Sequence, residues 1–216
     1  MTKTGKKASL PPIFYVLLGL IGWFLFPQIS AIFAPKADNN PRMSYGNHLL
    51  IKTNSNTAKE SAIAAIAQGD HQEAEQLLQK SLAQRPNDPE SVIYLSNLQT
   101  SPNPFKIAVV VPATTNPNVA QEILRGVASA QTQINQQGGI NGRKLMVIVV
   151  NDDNQPQISK EVARELVKNP DIIAVVGHNA SDASLAAAPI YEKGGLVMIS
   201  PTSLVGLKQI SSPNKA

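Results

Sequence analysis

Polar groups that could hold a small charged molecule lie in two short segments of the sequence. Gly177–Ser181 joins a β-branched run to a helical pattern, and Ser200–Ser203 follows the next apolar run. Unpaired backbone N–H groups at a helix start, with a serine hydroxyl among them, can bind a carboxylate. Hydroxyls and carbonyls of the second segment can hold an ammonium group. The two segments suit a small zwitterion; alternatively, Ser181 only caps its helix and Thr202-Ser203 only forms a turn.

The other reactive side chains form no catalytic constellation. No carboxylate has a recognisable spacing to His178, and the chain contains no cysteine, so we interpret His178 as a hydrogen-bonded residue at a strand end. Asp152-Asp153-Asn154 falls short of the roughly six oxygens that a calcium ion takes, which favours a turn held by side-chain caps. The glycines of 138–142 follow a helix, whereas a phosphate loop follows a strand. We predict no catalytic residue, no metal site, no cofactor and no enzymatic activity.

Alternating strand and helix patterns must position these segments. Near-continuous apolar runs are separated by amphipathic helical patterns, which is typical of a parallel sheet covered on both faces. Ligands of such sheets bind beyond the carboxyl ends of the strands. The runs occupy 106–111, 145–150, 172–176 and 196–199, and the loops that follow them occupy 112–118, 151–156, 177–182 and 200–204.

The N-terminal region has the pattern of a membrane anchor. Three lysines within residues 1–12 precede an uncharged, mostly apolar stretch at 13–34, which is long enough to cross a bilayer. We predict an uncleaved transmembrane signal anchor that leaves the basic N-terminus in the cytoplasm and the rest of the chain outside the cell membrane. A cleaved signal peptide, with Ile29-Ser30-Ala31 before the cut, is the alternative.

Two further regions connect the anchor to the sheet. Residues 35–56 are rich in asparagine and predict a mostly exposed linker, with a short ordered patch at 45–51 as an option. Residues 57–100 show helical periodicity and resemble a single tetratricopeptide unit, which cannot bury its own apolar face alone. This module is interpreted as a spacer that docks on its neighbour, or as a protein-binding element. Scattered basic residues and 5% aromatics argue against nucleic-acid binding.

Five motifs carry a resemblance to a known family. They occur in order at 134–143, 151–153, 177–181, 188–191 and 199–202. Together they resemble the N-terminal lobe of type I periplasmic-binding proteins of the leucine/isoleucine/valine-binding kind. The layout also resembles a cyanobacterial group with an anchor and a tetratricopeptide-like module before this lobe. The resemblance implies an α/β fold with a Rossmann-like parallel sheet over 105–210.

The resemblance also implies a ligand site and a function. Ser181 corresponds to the serine that binds the amino-acid carboxylate, and Leu204 stands where the family has a threonine that helps to hold the ammonium, a role that Ser203 could take over. The full set of implied contacts is Asn179, Ala180, Ser181, Thr202, Ser203 and Leu204. The implied function is extracytoplasmic binding of an amino acid or similar polar ligand for an ABC permease or a receptor.

The length of the chain qualifies that expectation. Family members close two lobes on the ligand, and this sequence stops soon after the fourth predicted strand. We therefore expect a C-terminally truncated lobe with millimolar or undetectable affinity. The alternatives are a membrane-anchored protein-interaction module and a non-functional fragment.

Overall fold

The computed structural model describes residues 40–53, 55–100 and 102–203. The predicted N-terminal anchor and Leu204 lie outside these residues. Within the described ranges, no helix combines the length and apolar character needed to cross a membrane. The described residues all belong to one compact unit.

Three helices form what we call the helical module. They are α1 (Thr57–Gln68), α2 (His71–Gln84) and α3 (Pro89–Leu98). Each begins after a residue whose side-chain oxygen accepts a hydrogen bond from a backbone N–H in the first turn, which supplies one of the partners that a helix start lacks. These capping residues are Asn56, Asp70 and Asp88.

Strands and helices then alternate along the chain. Their order is β2 (Phe105–Val111), α4 (Pro117–Gln136), β3 (Leu145–Asn151), α5 (Pro156–Lys168), β4 (Ile172–Val176), α6 (Ser181–Gly194) and β5 (Val197–Ile199). The four strands pair in parallel in the order β3-β2-β4-β5. This is the α/β arrangement that the apolar periodicity predicts.

A fifth strand corrects two sequence-based predictions. Strand β1 (Met43–Ser44) pairs antiparallel with β3, so the full order is β1-β3-β2-β4-β5 and the sheet is mixed. The linker predicted over 35–56 is not mostly exposed in its described part, because Met43, Ser44 and Ile51 are each 3% exposed or less. The segment is too short and too polar for an apolar pattern to mark it. It becomes a strand because the edge of β3 offers backbone groups to pair with.

Two side-chain amides extend this edge pairing beyond β1. The Asn97 Nδ2 donates to the Val147 carbonyl over 2.8 Å, and its Oδ1 accepts from the Val147 N–H over 3.0 Å. Asn135 makes the same pair of bonds with Leu145, at 2.9 and 2.7 Å. Each amide takes the place of a residue on a neighbouring strand, so the outer edge of β3 is hydrogen-bonded along its length.

The sheet has a hydrophobic core on each face. On one face, Val109 and Val147 pack with residues of α3 and α4, such as Ile93 and Leu124. On the other face, Val110 and Ile148 pack with α5 and α6, whose contributions include Leu166 and Tyr191. The helical module is therefore part of one core, which covers the apolar face that a single repeat cannot bury alone.

Candidate functional site

The two segments singled out in the sequence meet at the carboxyl ends of β4 and β5. These strands are neighbours in the sheet, which brings the residues after them together. The Thr202 hydroxyl donates to the Asn179 carbonyl over 3.0 Å, and the Ser203 hydroxyl contacts the Ser181 hydroxyl over 3.4 Å. We call the region formed by Thr114–Thr115, 152–154, 179–181 and 202–203 the ligand edge. Five of the six predicted contact residues lie there, and the sixth, Leu204, falls beyond the described range.

The start of α6 has no side-chain cap. The capping position is occupied by Ala180, and Ser181 is the first helical residue. The interpretation that Ser181 only caps its helix is therefore wrong. Backbone N–H groups of the first turn, together with the positive end of the helix dipole, remain available for an anion.

His178 is fully buried and bound on both ring nitrogens. Its Nδ1 lies 2.7 Å from Asp152 Oδ2, and its Nε2 lies 3.1 Å from the Tyr191 hydroxyl. The interpretation of a hydrogen-bonded histidine at a strand end is confirmed. A side chain with no exposed nitrogen cannot touch a ligand, so its role is to hold the loop.

Asp152 is the anionic partner of this network. Burial alone would raise the pKa of the Asp152 carboxyl, but hydrogen bonding and charge from His178 bring that pKa below its usual value. Donation from the Asn154 N–H and from the Ser159 hydroxyl, which lies 2.9 Å from Asp152 Oδ2, acts in the same direction. The network joins the end of β3 to the end of β4 through charge-assisted bonds.

Two hydroxyl groups fix the backbone beneath the loop, and the sequence singled out the segment of Ser200 but not Ser184. The His178 carbonyl accepts from the Ser184 hydroxyl over 3.1 Å and from the Ser200 hydroxyl over 2.8 Å. Ser184 is one turn into α6, a spacing that could have suggested a bond back to the loop. The two strand-end segments are thus tied together below the ligand edge.

The β3 end forms the turn predicted from its side-chain caps. Asp152 Oδ1 accepts from the Asn154 N–H over 3.0 Å, and Asn151 Oδ1 accepts from the Asp153 N–H over 3.1 Å. The Asn179 amide then donates to Asn154 Oδ1 over 3.3 Å. This turn therefore contacts one of the predicted ligand residues.

Gly177 permits the close approach of β4 to β2. Its φ is +124°, and a Cβ at this position would lie 2.5 Å from the Val110 carbonyl oxygen. A side chain would have to displace the backbone of a central strand. The position of the loop after β4 therefore depends on a glycine here.

Residues 104–214 match a family model described as periplasmic binding protein. The chain belongs to the periplasmic binding protein family. The family is non-enzymatic, which confirms the prediction that this chain is not an enzyme. The match takes in β2 to β5 and leaves out β1 and the helical module, whose tetratricopeptide resemblance stays a prediction.

Two known proteins are similar to part of the chain. An amino acid binding protein of Pseudomonas aeruginosa is 36% identical over 98 residues, which cover 45% of this chain and 26% of that protein. The Leu/Ile/Val-binding protein of Escherichia coli K12 is 38% identical over 102 residues, or 46% of this chain and 27% of that protein. The chain thus spans about a quarter of the length of these relatives.

A solved structure also aligns with part of the chain. The ABC transporter substrate-binding protein from Desulfitobacterium hafniense, in complex with Leu, shares 36% identity with a TM-score of 0.42. The alignment covers 46% of this chain and 29% of that protein.

Proposed function

We propose that the ligand edge binds the carboxylate and ammonium groups of a free amino acid, as one lobe of an extracytoplasmic binding protein that serves an ABC transporter or a receptor. The observation that carries this proposal is the uncapped start of α6 beside the hydroxyls of Thr202 and Ser203. A helix start with free N–H groups favours a carboxylate. Neighbouring hydroxyl and carbonyl oxygens favour an ammonium.

Each residue has a role in this arrangement. The carboxylate lies against the N–H groups of the first turn of α6 and accepts a bond from the Ser181 hydroxyl. The ammonium donates to oxygens of Thr202 and Ser203, and Asn179 and Ala180 form the wall between them. Leu204 follows Ser203 directly, and its contact with the ligand is a further part of the proposal.

The similar proteins support the choice of ligand. The two proteins named from Pseudomonas aeruginosa and Escherichia coli are described as binding an amino acid and Leu/Ile/Val. The family match takes in the loops after β4 and β5, whereas β1 and the helical module lie outside it. We propose that the predicted membrane anchor at 13–34 holds this lobe in the periplasm or extracytoplasmic space, and that an ABC permease or other protein partner meets it there.

Isothermal titration against a panel of free amino acids tests this proposal. The full chain is the appropriate sample, because the helical module shares a core with the sheet. The described residues supply one wall of the proposed site, so for this chain we expect a dissociation constant of about 1 mM, equivalent to about −4 kcal/mol. No heat from any amino acid, with circular dichroism showing a folded chain, would remove amino-acid binding as the activity of this chain.

Matched variants locate the site within the chain. Ser181→Ala removes one hydroxyl from the proposed carboxylate contact and should weaken binding about tenfold, as the loss of a bond to a charged group does. Ser129→Ala removes an exposed hydroxyl from α4, away from the ligand edge, and should leave affinity unchanged. Equal effects of the two substitutions would place the ligand elsewhere.

A further inference from the structure

The segment before β1 lies outside the family match but reaches the ligand edge. Because β1 runs antiparallel to β3, with Met43 opposite Val150, the residues that precede it lie beside the carboxyl end of β3. The Asn151 N–H donates to the Arg42 carbonyl over 2.8 Å, which continues the pairing to the last residue of β3. Arg42 therefore lies at the side of the sheet from which the ligand loops extend.

The Arg42 side chain is bound to the turn after β3. Its Nη1 lies 3.2 Å from Asp153 Oδ2 and 3.5 Å from the Asn151 carbonyl oxygen. The two side chains of the ion pair are 36% and 12% exposed, so the Asp153 carboxylate is largely screened from water. An ion pair of this kind restricts the orientation of the carboxylate as well as balancing its charge.

The second oxygen of Asp153 holds the loop after β2. Asp153 Oδ1 accepts from the backbone N–H groups of Thr114 and Thr115, each over 3.3 Å. The Asp153 carbonyl accepts from the Thr115 hydroxyl over 3.0 Å. Asp153 also has a φ of +54°, which residues with a side chain seldom adopt, so contacts on both sides must keep it there.

The same turn reaches the proposed amino-acid site. Asn154, the neighbour of Asp153, also has a left-handed φ of +56° and accepts the bond from the Asn179 amide. A single turn therefore contacts the loop after β2 on one side and the loop after β4 on the other. Any group that fixes the turn fixes both loops.

We propose that Arg42 is a positioning residue of the ligand edge. It binds Asp153 Oδ2 and thereby directs Oδ1 toward the Thr114 and Thr115 amides, and it touches no ligand itself. The effect on amino-acid affinity rests on the proposed function, whereas the effect on loop order does not. The segment before β1 therefore stabilises the loops of the lobe and is more than a linker to it.

Hydrogen exchange of the full chain, followed by mass spectrometry, tests this proposal without any ligand. Arg42→Gln keeps much of the length of the side chain and removes its charge. We expect amide exchange in peptides covering 112–118 to rise about two- to fivefold, the range for loss of a partly exposed ion pair. Arg42→Lys keeps the charge and should restore most of the protection. Arg125→Gln is the matched control, because it breaks the exposed Arg125–Glu122 pair within α4.

The results distinguish a role of Arg42 in positioning residues 112–118 from a general effect on the stability of the chain. Unchanged exchange at 112–118 in Arg42→Gln would overturn the proposal, as would an equal rise in peptides of β2, β3 and α1. If titration of the unaltered chain detects an amino acid, Arg42→Gln should raise its dissociation constant by the same two- to fivefold factor, and an unaltered constant would also count against the proposal. If titration detects none, the proposed function fails and the exchange result still decides the role of Arg42.

Discussion

Two buried carboxylates, one in the helical module and one in the ligand edge, are held in different ways. Glu90 of α3 is fully buried, and its Oε2 lies 2.7 Å from the Lys59 Nζ of α1. Its Oε1 accepts from the Tyr94 hydroxyl over 3.1 Å and, at longer range, from the N–H groups of Leu50 and Ile51. Burial raises the pKa of Glu90, against the opposing effect of Lys59, whereas donors around Asp152 bring its pKa below the usual value.

The difference follows from how far the neighbouring groups offset the effect of burial on the pKa of each carboxyl. Lys59 also lies 3.0 Å from Asp88, so two carboxylates share one cation in the module. At Asp152, the bonds with His178, the Ser159 hydroxyl and the Asn154 N–H together outweigh the effect of burial on the pKa. As the pH rises, the contribution of Glu90 to the free energy of unfolding therefore falls and that of Asp152 rises. The module uses its charges to join α1, α3 and the segment at 50–51, and the ligand edge uses them to orient loops.

The largest expected effect comes from breaking the module cluster. Lys59→Met leaves Glu90 buried without its cation, which should lower the free energy of unfolding by about 3–5 kcal/mol. The loss should shrink as the pH falls, because protonated Glu90 needs no cation. Urea denaturation of the full chain, followed by far-ultraviolet circular dichroism, measures it. Lys168→Met breaks an exposed pair with Glu165 and should cost less than about 1 kcal/mol; an equal cost for the two variants would contradict the prediction.

A substitution two residues before the 179–181 part of the ligand edge should act through the backbone. Gly177→Ala places a Cβ against the Val110 carbonyl in a conformation that alanine disfavours, and should lower the free energy of unfolding by about 3 kcal/mol. Gly126→Ala, in the interior of α4 where a Cβ meets no atom within 4 Å, should instead stabilise by about 0.5–1 kcal/mol. Thermal or urea unfolding distinguishes the two signs. Destabilisation by both variants to the same extent would remove the close approach of β4 to β2 as the cause.

The pH dependence of the free energy of unfolding should reveal the contribution of Asp152. Its pKa is lowered in the folded state, so its contribution to stability is complete above the ordinary carboxyl pKa of about 3.9 and is lost as the pH falls through the lowered value. In Asp152→Asn, the free energy of unfolding should therefore fall less steeply as the pH is lowered through the acid range, which we call the acid limb of the curve. One carboxyl can account for a slope of at most about 1.4 kcal/mol per pH unit.

An exposed carboxyl provides the reference for that measurement. Glu161→Gln, on the solvent side of α5, removes one exposed carboxyl without touching the His178 network. Its acid limb should stay close to that of the unaltered chain. If Asp152→Asn and Glu161→Gln give the same curve, the network around Asp152 adds no acid-sensitive stability.

The smallest expected effect concerns the starts of α2 and α6. Asp70 accepts from the Glu73 N–H at the start of α2, so Asp70→Ala should cost about 1 kcal/mol. Ser181 is not a capping residue, and Ser181→Ala should change the free energy of unfolding by less than about 0.5 kcal/mol while still weakening any amino-acid binding. Urea denaturation measures both. A cost near 1 kcal/mol for Ser181→Ala would mean that its hydroxyl caps α6 after all.

The sequence predicts the parallel strands and their helices because buried strands and amphipathic helices leave periodic apolar patterns. It also predicts which strand ends carry the polar groups of the ligand edge. It does not predict β1, because two residues within an asparagine-rich segment leave no period to detect. Nor does it predict the pairing of Asp152 with His178, because the parallel arrangement of β2, β3 and β4 brings those residues together from distant points in the chain. Long-range pairs between single residues carry no local pattern.

The completed hydrogen bonding at the outer edge of β3 limits how copies of this chain can associate. A sheet with two open edges can add strands from further copies without end, as a fibre does. Here β1 and the amides of Asn97 and Asn135 occupy one side. The edge strand on this side is β1, and its two residues offer little backbone for a further strand to pair with.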